Sequence, residues 1–168
     1  MAKLKEGMEA PDFTLEANDG KNYTLSQFRG KRVLLYFYPK DNTSGCTLEA
    51  EMLRDTVIMF KRAGTQILGV STDSVSSHQK FADKLKLPFP LLADTKKEVV
   101  KKYGVWGKKT MMGKEYMGVN RMSFLIDIDG SIMKIYGKVV PKDHAGEVLT
   151  DLKGGTKIAV PKAKSGKK

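Results

Sequence analysis

The feature that most constrains this chain is Val33-Leu34-Leu35-Tyr36-Phe37-Tyr38, followed at once by Pro39-Lys40-Asp41-Asn42-Thr43-Ser44-Gly45 and then by helical spacing. An apolar and aromatic run without polar alternation reads as a strand covered on both faces. Such a strand sits inside a sheet that carries helices, and it is too short to cross a membrane. Apolar residues Leu48, Met52, Leu53, Val57 and Phe60 then recur at helical spacing, which predicts one helix over 46–63 ended by Gly64. Gln66 to Ser71 reads as a second buried strand and Ser74 to Leu87 as a second helix, with Phe81, Leu85 and Leu87 turned inward. Pro88 and Pro90 break the chain before a short strand at Leu91-Leu92. Thr95 is the expected N-cap of a helix over Lys96 to Tyr103, closed by Gly104.

Asn18-Asp19-Gly20 lies between Phe13-Thr14-Leu15 and Tyr23-Thr24-Leu25, which predicts an N-terminal β-hairpin followed by a short helical turn over 26–28. Met122 to Ile126, the turn Asp129-Gly130 and Ser131 to Tyr136 predict a second hairpin. A last helix begins at Pro141 or Asp143 and runs to about Leu152. Strand–helix alternation gives parallel pairing and the late hairpin adds antiparallel strands. The expected fold is α/β, a mixed central sheet flanked by helices, compatible with a thioredoxin-like fold. The expected domain spans 1–152, with a basic Lys/Gly/Pro tail over 153–168 that is partly flexible.

The net charge of +11 raises the question of nucleic acid, but its distribution argues against that use. Residues 153–168 hold six Lys and no acid, while the preceding 152 residues hold 24 basic and 19 acidic groups. A solvated tail is the simpler reading. The N-terminal MAKLKEGMEAPDF has no apolar segment of secretory type, and one cysteine closes no internal disulfide, so a reducing cytoplasm is expected. Two His and one Cys make no metal cluster, and neither a metal nor another cofactor is expected. The nine Met read as core and loop filler, and GKKTMMGK lacks the spacing of a phosphate loop.

Chemistry centres on Cys46. A buried cysteine is often only a small hydrophobe. This one, however, lies at a helix start, where free N–H groups and the helix dipole favour an anion, and the thiolate is the nucleophilic form. It also follows the C-terminal end of a buried strand, the usual place for sites in α/β folds. Thr43, three residues earlier, can present a hydroxyl to the same space. The residues alone leave the reactive and the inert readings both open.

The segment YFYPKDNTSGCTLEAEMLRD resembles the active-site segment of peroxiredoxins, thiol peroxidases of thioredoxin-like fold, whose pattern Pro-x-x-x-Thr-x-x-Cys is met by Pro39, Thr43 and Cys46. APDFTL, YPKDNT, GVSTDSVSSHQKFADK, LPFPLLAD and FLIDIDG are similar to the bacterioferritin comigratory protein, or PrxQ, subfamily, over about Gly7 to Leu152. The resemblance implies that Cys46 is the peroxidatic thiolate, that Thr43 holds peroxide and sulfur, and that Pro39 shields the thiolate. It implies that Arg121 in RMSFLID is the cation that favours the thiolate and orients the oxygens. Backbone N–H groups of Gly45 and Cys46 complete the donor set. Glu49 matches a family glutamate that supports the site, but a solvated helix-face carboxylate fits the residues equally. His78 also falls at a family position and reads better as a helix-start or packing residue than as a catalyst.

The sequence departs from the family at three places. Glu51 stands five residues after Cys46, where many members carry a resolving cysteine, and Ala82 stands where others carry theirs; Ser44 replaces a customary Pro. A sulfenic acid on Cys46 then has no partner thiol in its own chain. The resemblance therefore implies a one-cysteine enzyme that reduces hydrogen peroxide and organic hydroperoxides with an external thiol, namely thioredoxin, glutaredoxin or glutathione, as a monomer or weak homodimer. The rival from another class is a thioredoxin-fold binding or nucleic-acid-associated protein that uses the basic tail and keeps an inert cysteine.

Overall fold

The computed structural model describes residues 3–154, so the tail expected over 153–168 lies outside the described residues apart from Lys153 and Gly154. The N-terminal hairpin pairs β1 (Thr14–Glu16) with β2 (Asn22–Thr24), and a 3-10 turn follows at Leu25–Phe28. The predicted buried strand is β3 (Arg32–Phe37), at the centre of a five-stranded sheet. It pairs in parallel with β4 (Thr65–Ser71), which pairs in parallel with β5 (Leu91–Ala93). On its other side β3 pairs antiparallel with β8 (Met122–Ile126), which pairs antiparallel with β9 (Ile132–Tyr136). Ahead of these two in the chain, β6 (Trp106–Met111) and β7 (Lys114–Val119) form a separate antiparallel hairpin.

The alternate side chains of β3 account for its uninterrupted apolar sequence, since successive residues of a strand point to opposite faces. Leu34 and Tyr36 pack into a core shared with Leu53, Phe60, Phe81 and Val148. Val33, Leu35 and Phe37 pack on the other face with Leu25, Val70, Val100 and Tyr103. Helices α1 (Ser44–Asp55), α2 (Val57–Arg62), α3 (Val75–Leu85) and α5 (His144–Leu152) supply the first core, and α4 (Glu98–Lys102) supplies the second. The mixed α/β architecture is of thioredoxin-like type, as expected.

Three local expectations are corrected. The single helix over 46–63 is two helices, because the Thr56 hydroxyl donates to the Met52 carbonyl at 2.8 Å and opens the turn there. Thr95 is not the N-cap of α4: Lys97 holds that place in a left-handed conformation (φ 62°), and the Asp94 carboxylate accepts from the Val100 N–H at 2.8 Å. The β6–β7 hairpin was not anticipated, since the stretch GVWGKKTMMGKEYMGV carries no strict alternation and turns at Met112-Gly113, both with positive φ.

Candidate active site

The chain leaves β3 through Tyr38 and Pro39 and enters α1 at Ser44, so the loop between them sits at the C-terminal end of the central strand. Asn42 takes φ 65°, a left-handed conformation that asparagine tolerates. Asp41 is buried beneath the loop and ties it to α3. Its carboxylate accepts from the Tyr38 hydroxyl at 2.6 Å and the Ser77 hydroxyl at 2.8 Å, and lies 2.7 Å from His78 Nδ1. His78 Nε2 donates in turn to the Leu92 carbonyl at 2.9 Å. Burial alone would raise the Asp41 carboxyl, but His78, Tyr38 and Ser77 together hold it below its ordinary value. His78 is thus a buried packing and hydrogen-bonding residue, as the sequence suggested. Asp73 joins the cluster, accepting from the Asp41 N–H at 2.9 Å and the Ser71 hydroxyl at 2.6 Å. Side-chain atoms of Asp41, Asp73 and His78 lie within 4.8 Å of one another, with Asp41 Oδ2 against His78 Nδ1 and Asp73 Oδ2 taken by the Ser71 hydroxyl and the Asp41 N–H.

Thr43 is the N-cap of α1 and its carbonyl accepts the first helical N–H, from Thr47 at 2.9 Å. Its hydroxyl donates back to the Lys40 carbonyl at 2.9 Å and braces the turn. Ser44 opens the helix, a position where proline is also well tolerated because its N–H is not needed there. Cys46 is therefore the third residue of the helix, inside the first turn, with a free thiol that is only 1% exposed.

Register brings the cation. Phe37 of β3 pairs with Met122 of β8, so Arg121 emerges beside the end of β3 although it lies 75 residues from Cys46 in sequence. Arg121 Nη2 donates to Cys46 Sγ at 3.3 Å, and Nη1 donates to Glu49 Oε1 at 2.7 Å. Burial opposes the charge on Arg121, but Cys46 and Glu49 hold the guanidinium above its ordinary value. Gly45 makes this approach possible: a Cβ there would stand 3.1 Å from Nη2. Pro39 and Thr43 line the same space.

Glu49 decides between its two readings. It is fully buried one helical turn beyond Cys46, not solvated, and it fixes the guanidinium with one oxygen while Oε2 has no partner. Burial pushes its carboxyl up to about 7 against the opposing pull of Arg121. The nearby Tyr36 hydroxyl is likewise buried without a partner and raised far above its ordinary value, first by burial and then by Glu49 and Cys46.

All six candidate residues thus meet at one place. What sequence reasoning missed is the third wall. Trp106, Lys109, Met111, Tyr116, Met117 and Val119 of the β6–β7 hairpin close a groove of about 440 Å³ against Pro39, Thr43, Gly45 and Arg121. The exposed methionines of that hairpin, counted in sequence as filler, were its signal. Glu51 is half-buried on α1 and Ala82 is buried on α3, so neither position offers a thiol.

The model of the AhpC/TSA family matches residues 7–135. The chain is 46% identical over 153 residues to peroxiredoxin Bcp of Escherichia coli, covering 91% of this chain and 98% of that protein. It is 46% identical over 150 residues to peroxiredoxin Bcp of Bacillus subtilis, covering 89% and 96%. Among solved structures, the bacterioferritin comigratory protein of Xanthomonas campestris, studied for its alkyl peroxide reduction activity, superposes with a TM-score of 0.82 at 35% identity, covering 91% of this chain and all of that one. Peroxidoxin BcpB of Mycobacterium tuberculosis superposes at 0.80 with 33% identity, covering 90% and 97%. The chain belongs to the AhpC/TSA family of peroxiredoxins, in its Bcp/PrxQ branch. Its activity is that of a thiol-dependent peroxidase. No helix among the described residues is long and apolar enough to cross a membrane.

Proposed function

We propose that the chain is a cytoplasmic one-cysteine peroxidase that reduces hydrogen peroxide and organic hydroperoxides at Cys46. The Cys46 thiolate attacks one peroxide oxygen in line, the O–O bond breaks, and its electron pair leaves with the distal oxygen as alkoxide or hydroxide, which takes a proton to become alcohol or water. The sulfur is left as a sulfenic acid. Arg121 favours the thiolate and holds the oxygens as charge moves from sulfur to the leaving group. Gly45 and Cys46 N–H groups at the start of α1 add donors, and Thr43 reorients its hydroxyl toward the peroxide. Pro39 narrows the entrance, and Glu49 keeps the guanidinium aimed. The observation that carries this reading is the fork of Arg121, one arm on Cys46 Sγ at 3.3 Å and the other on Glu49 at 2.7 Å.

With Cys46 the one cysteine in the sequence, the sulfenic acid turns over against a thiol from outside, in a monomer or weak homodimer. The test is to trap Cys46 with a sulfenic-acid reagent after one equivalent of peroxide and to compare wild type with Cys46→Ser. The reagent labels Cys46 and the variant loses peroxide consumption; a variant that consumes peroxide as fast as wild type overturns the assignment.

A further inference from the structure

Two cations stand in the groove that the attack on peroxide does not use. Lys40 comes from the loop before α1 and Lys109 from β6. The stem of Lys109 lies along the bare backbone of Gly118, where a Cβ would stand 3.1 Å from Lys109 Cδ. Lys109 Nζ donates to the Val119 carbonyl at 2.9 Å, which fixes the ammonium inside the groove with two hydrogens to spare. Burial, with Arg121 beside it, holds this ammonium below the ordinary lysine value while Cys46 acts in the opposite direction, so the three groups share one field. No carboxylate is among the described residues that line the groove, and Glu49 is engaged behind Arg121. The remaining walls are mostly apolar, with Trp106, Met111 and Met117 beside the hydroxyl-bearing Thr72 and Tyr116, and the volume suits a small molecule.

The sulfenic acid needs a thiol that reaches a sulfur only 1% exposed. Arg121, which touches that sulfur, lines the same groove as Lys40 and Lys109, so a thiol held in the groove stands among all three cations. We propose that this groove binds the resolving thiol, and that the thiol is a low-molecular-weight one bearing carboxylates, paired with Lys109 and Lys40. The proposal rests on the reading of Cys46 as the residue that peroxide oxidises. The thiol sulfur attacks Cys46 Sγ, the S–O bond breaks, and the hydroxyl leaves as water with the thiol's proton. A second molecule of the same thiol attacks the mixed disulfide, which releases the Cys46 thiol and a small-molecule disulfide. Two thiols thus supply the two electrons that one peroxide consumes.

Trp106 is the single tryptophan and stands in the groove wall, so its fluorescence can follow each step by stopped flow. The full chain is oxidised with one equivalent of hydrogen peroxide, then mixed with glutathione, with glutathione diethyl ester, or with reduced thioredoxin, the two small thiols at equal thiolate concentration. Glutathione reduces the sulfenic acid about tenfold faster than its ester, the scale of one charge-assisted hydrogen bond, and the preference shrinks with added salt. Lys109→Gln brings the two rates closer, its combination with Lys40→Gln brings them together, and Lys109→Arg keeps them apart. Equal rates for glutathione and its ester in wild type overturn the proposal, as does reduction by thioredoxin alone. Should no sulfenic acid form before any thiol is added, the assignment of Cys46 falls first and the proposal with it.

Discussion

At the scale of single residues the chemistry depends on Glu49 as much as on Cys46. A carboxylic acid without exposure, bonded through one oxygen and bare at the other, is an expensive group to bury. Its place is explained by the guanidinium it steadies, since a lone arginine side chain would have several rotamers and one of them would leave the sulfur. The same burial gives a measurable consequence. The Glu49 carboxyl titrates near 4.5 in an unfolded chain and is pushed up to about 7 in the fold. Its contribution to stability is complete below the unfolded value and is lost as pH rises through the folded one. Replacement by glutamine removes that dependence. The urea unfolding free energy of wild type should therefore fall relative to Glu49→Gln between about pH 5 and about pH 8, by on the order of 2–3 kcal/mol. An unchanged difference at the two pH values would show that Glu49 keeps one protonation state throughout.

At the scale of elements, the loop that carries the site is anchored sideways to α3. Asp41 lies at its base, held by Tyr38 from the end of β3 and by Ser77 and His78 from α3. His78→Leu keeps the apolar volume but leaves a buried carboxylate without one of its three side-chain partners. That loss costs about 3 kcal/mol, measurable as a lower urea midpoint. Because the loop runs directly into the first turn of α1, oxidation of Cys46 by peroxide should slow in the same variant; a variant as stable and as fast as wild type would remove this anchor from the account. The hydrogen bonds to Asp41 also set a sign. They hold its carboxyl below the ordinary range, so their contribution is present at neutral pH and is lost as pH falls through the folded value. Elements were legible in unequal measure. Strands β3, β4 and β8 announce themselves as apolar runs, whereas the break at Thr56 and the cap of α4 depend on single hydrogen bonds that no periodicity carries.

At the scale of the molecule, the five-stranded sheet and the β6–β7 hairpin differ in what covers them. The central strands are buried on both faces, while the hairpin forms its own two-stranded ladder and exposes Met111, Tyr116 and Met117, with Met112 at its tip 96% exposed. Local opening draws on the least buried ladders first. Hydrogen exchange should therefore find the amides of β3 and β4 among the slowest and those of β6 and β7 faster by at least about tenfold. Equal protection would mean that the groove wall is as rigid as the sheet. A wall that opens readily suits a site whose sulfur is otherwise sealed.

The sequence by itself determined the strand run at 33–38 and the helix start that holds Cys46, because each is written in neighbouring residues whose spacing matches the period of one element, while the roles of Pro39 and Thr43 beside Cys46 came from resemblance to the peroxiredoxins. It named Arg121 through family resemblance and left Glu49 between two readings. Only the tertiary structure decided those two, since the antiparallel register of β3 with β8 is what brings Arg121 to the sulfur and the packing of α1 on the sheet is what removes Glu49 from water. It also decided the groove, because Lys109 and the hairpin methionines are polar-and-apolar filler along the chain and become a wall once β6 and β7 stand opposite the loop. Local order follows from bonds between near neighbours. The site follows from which distant residues one sheet places side by side.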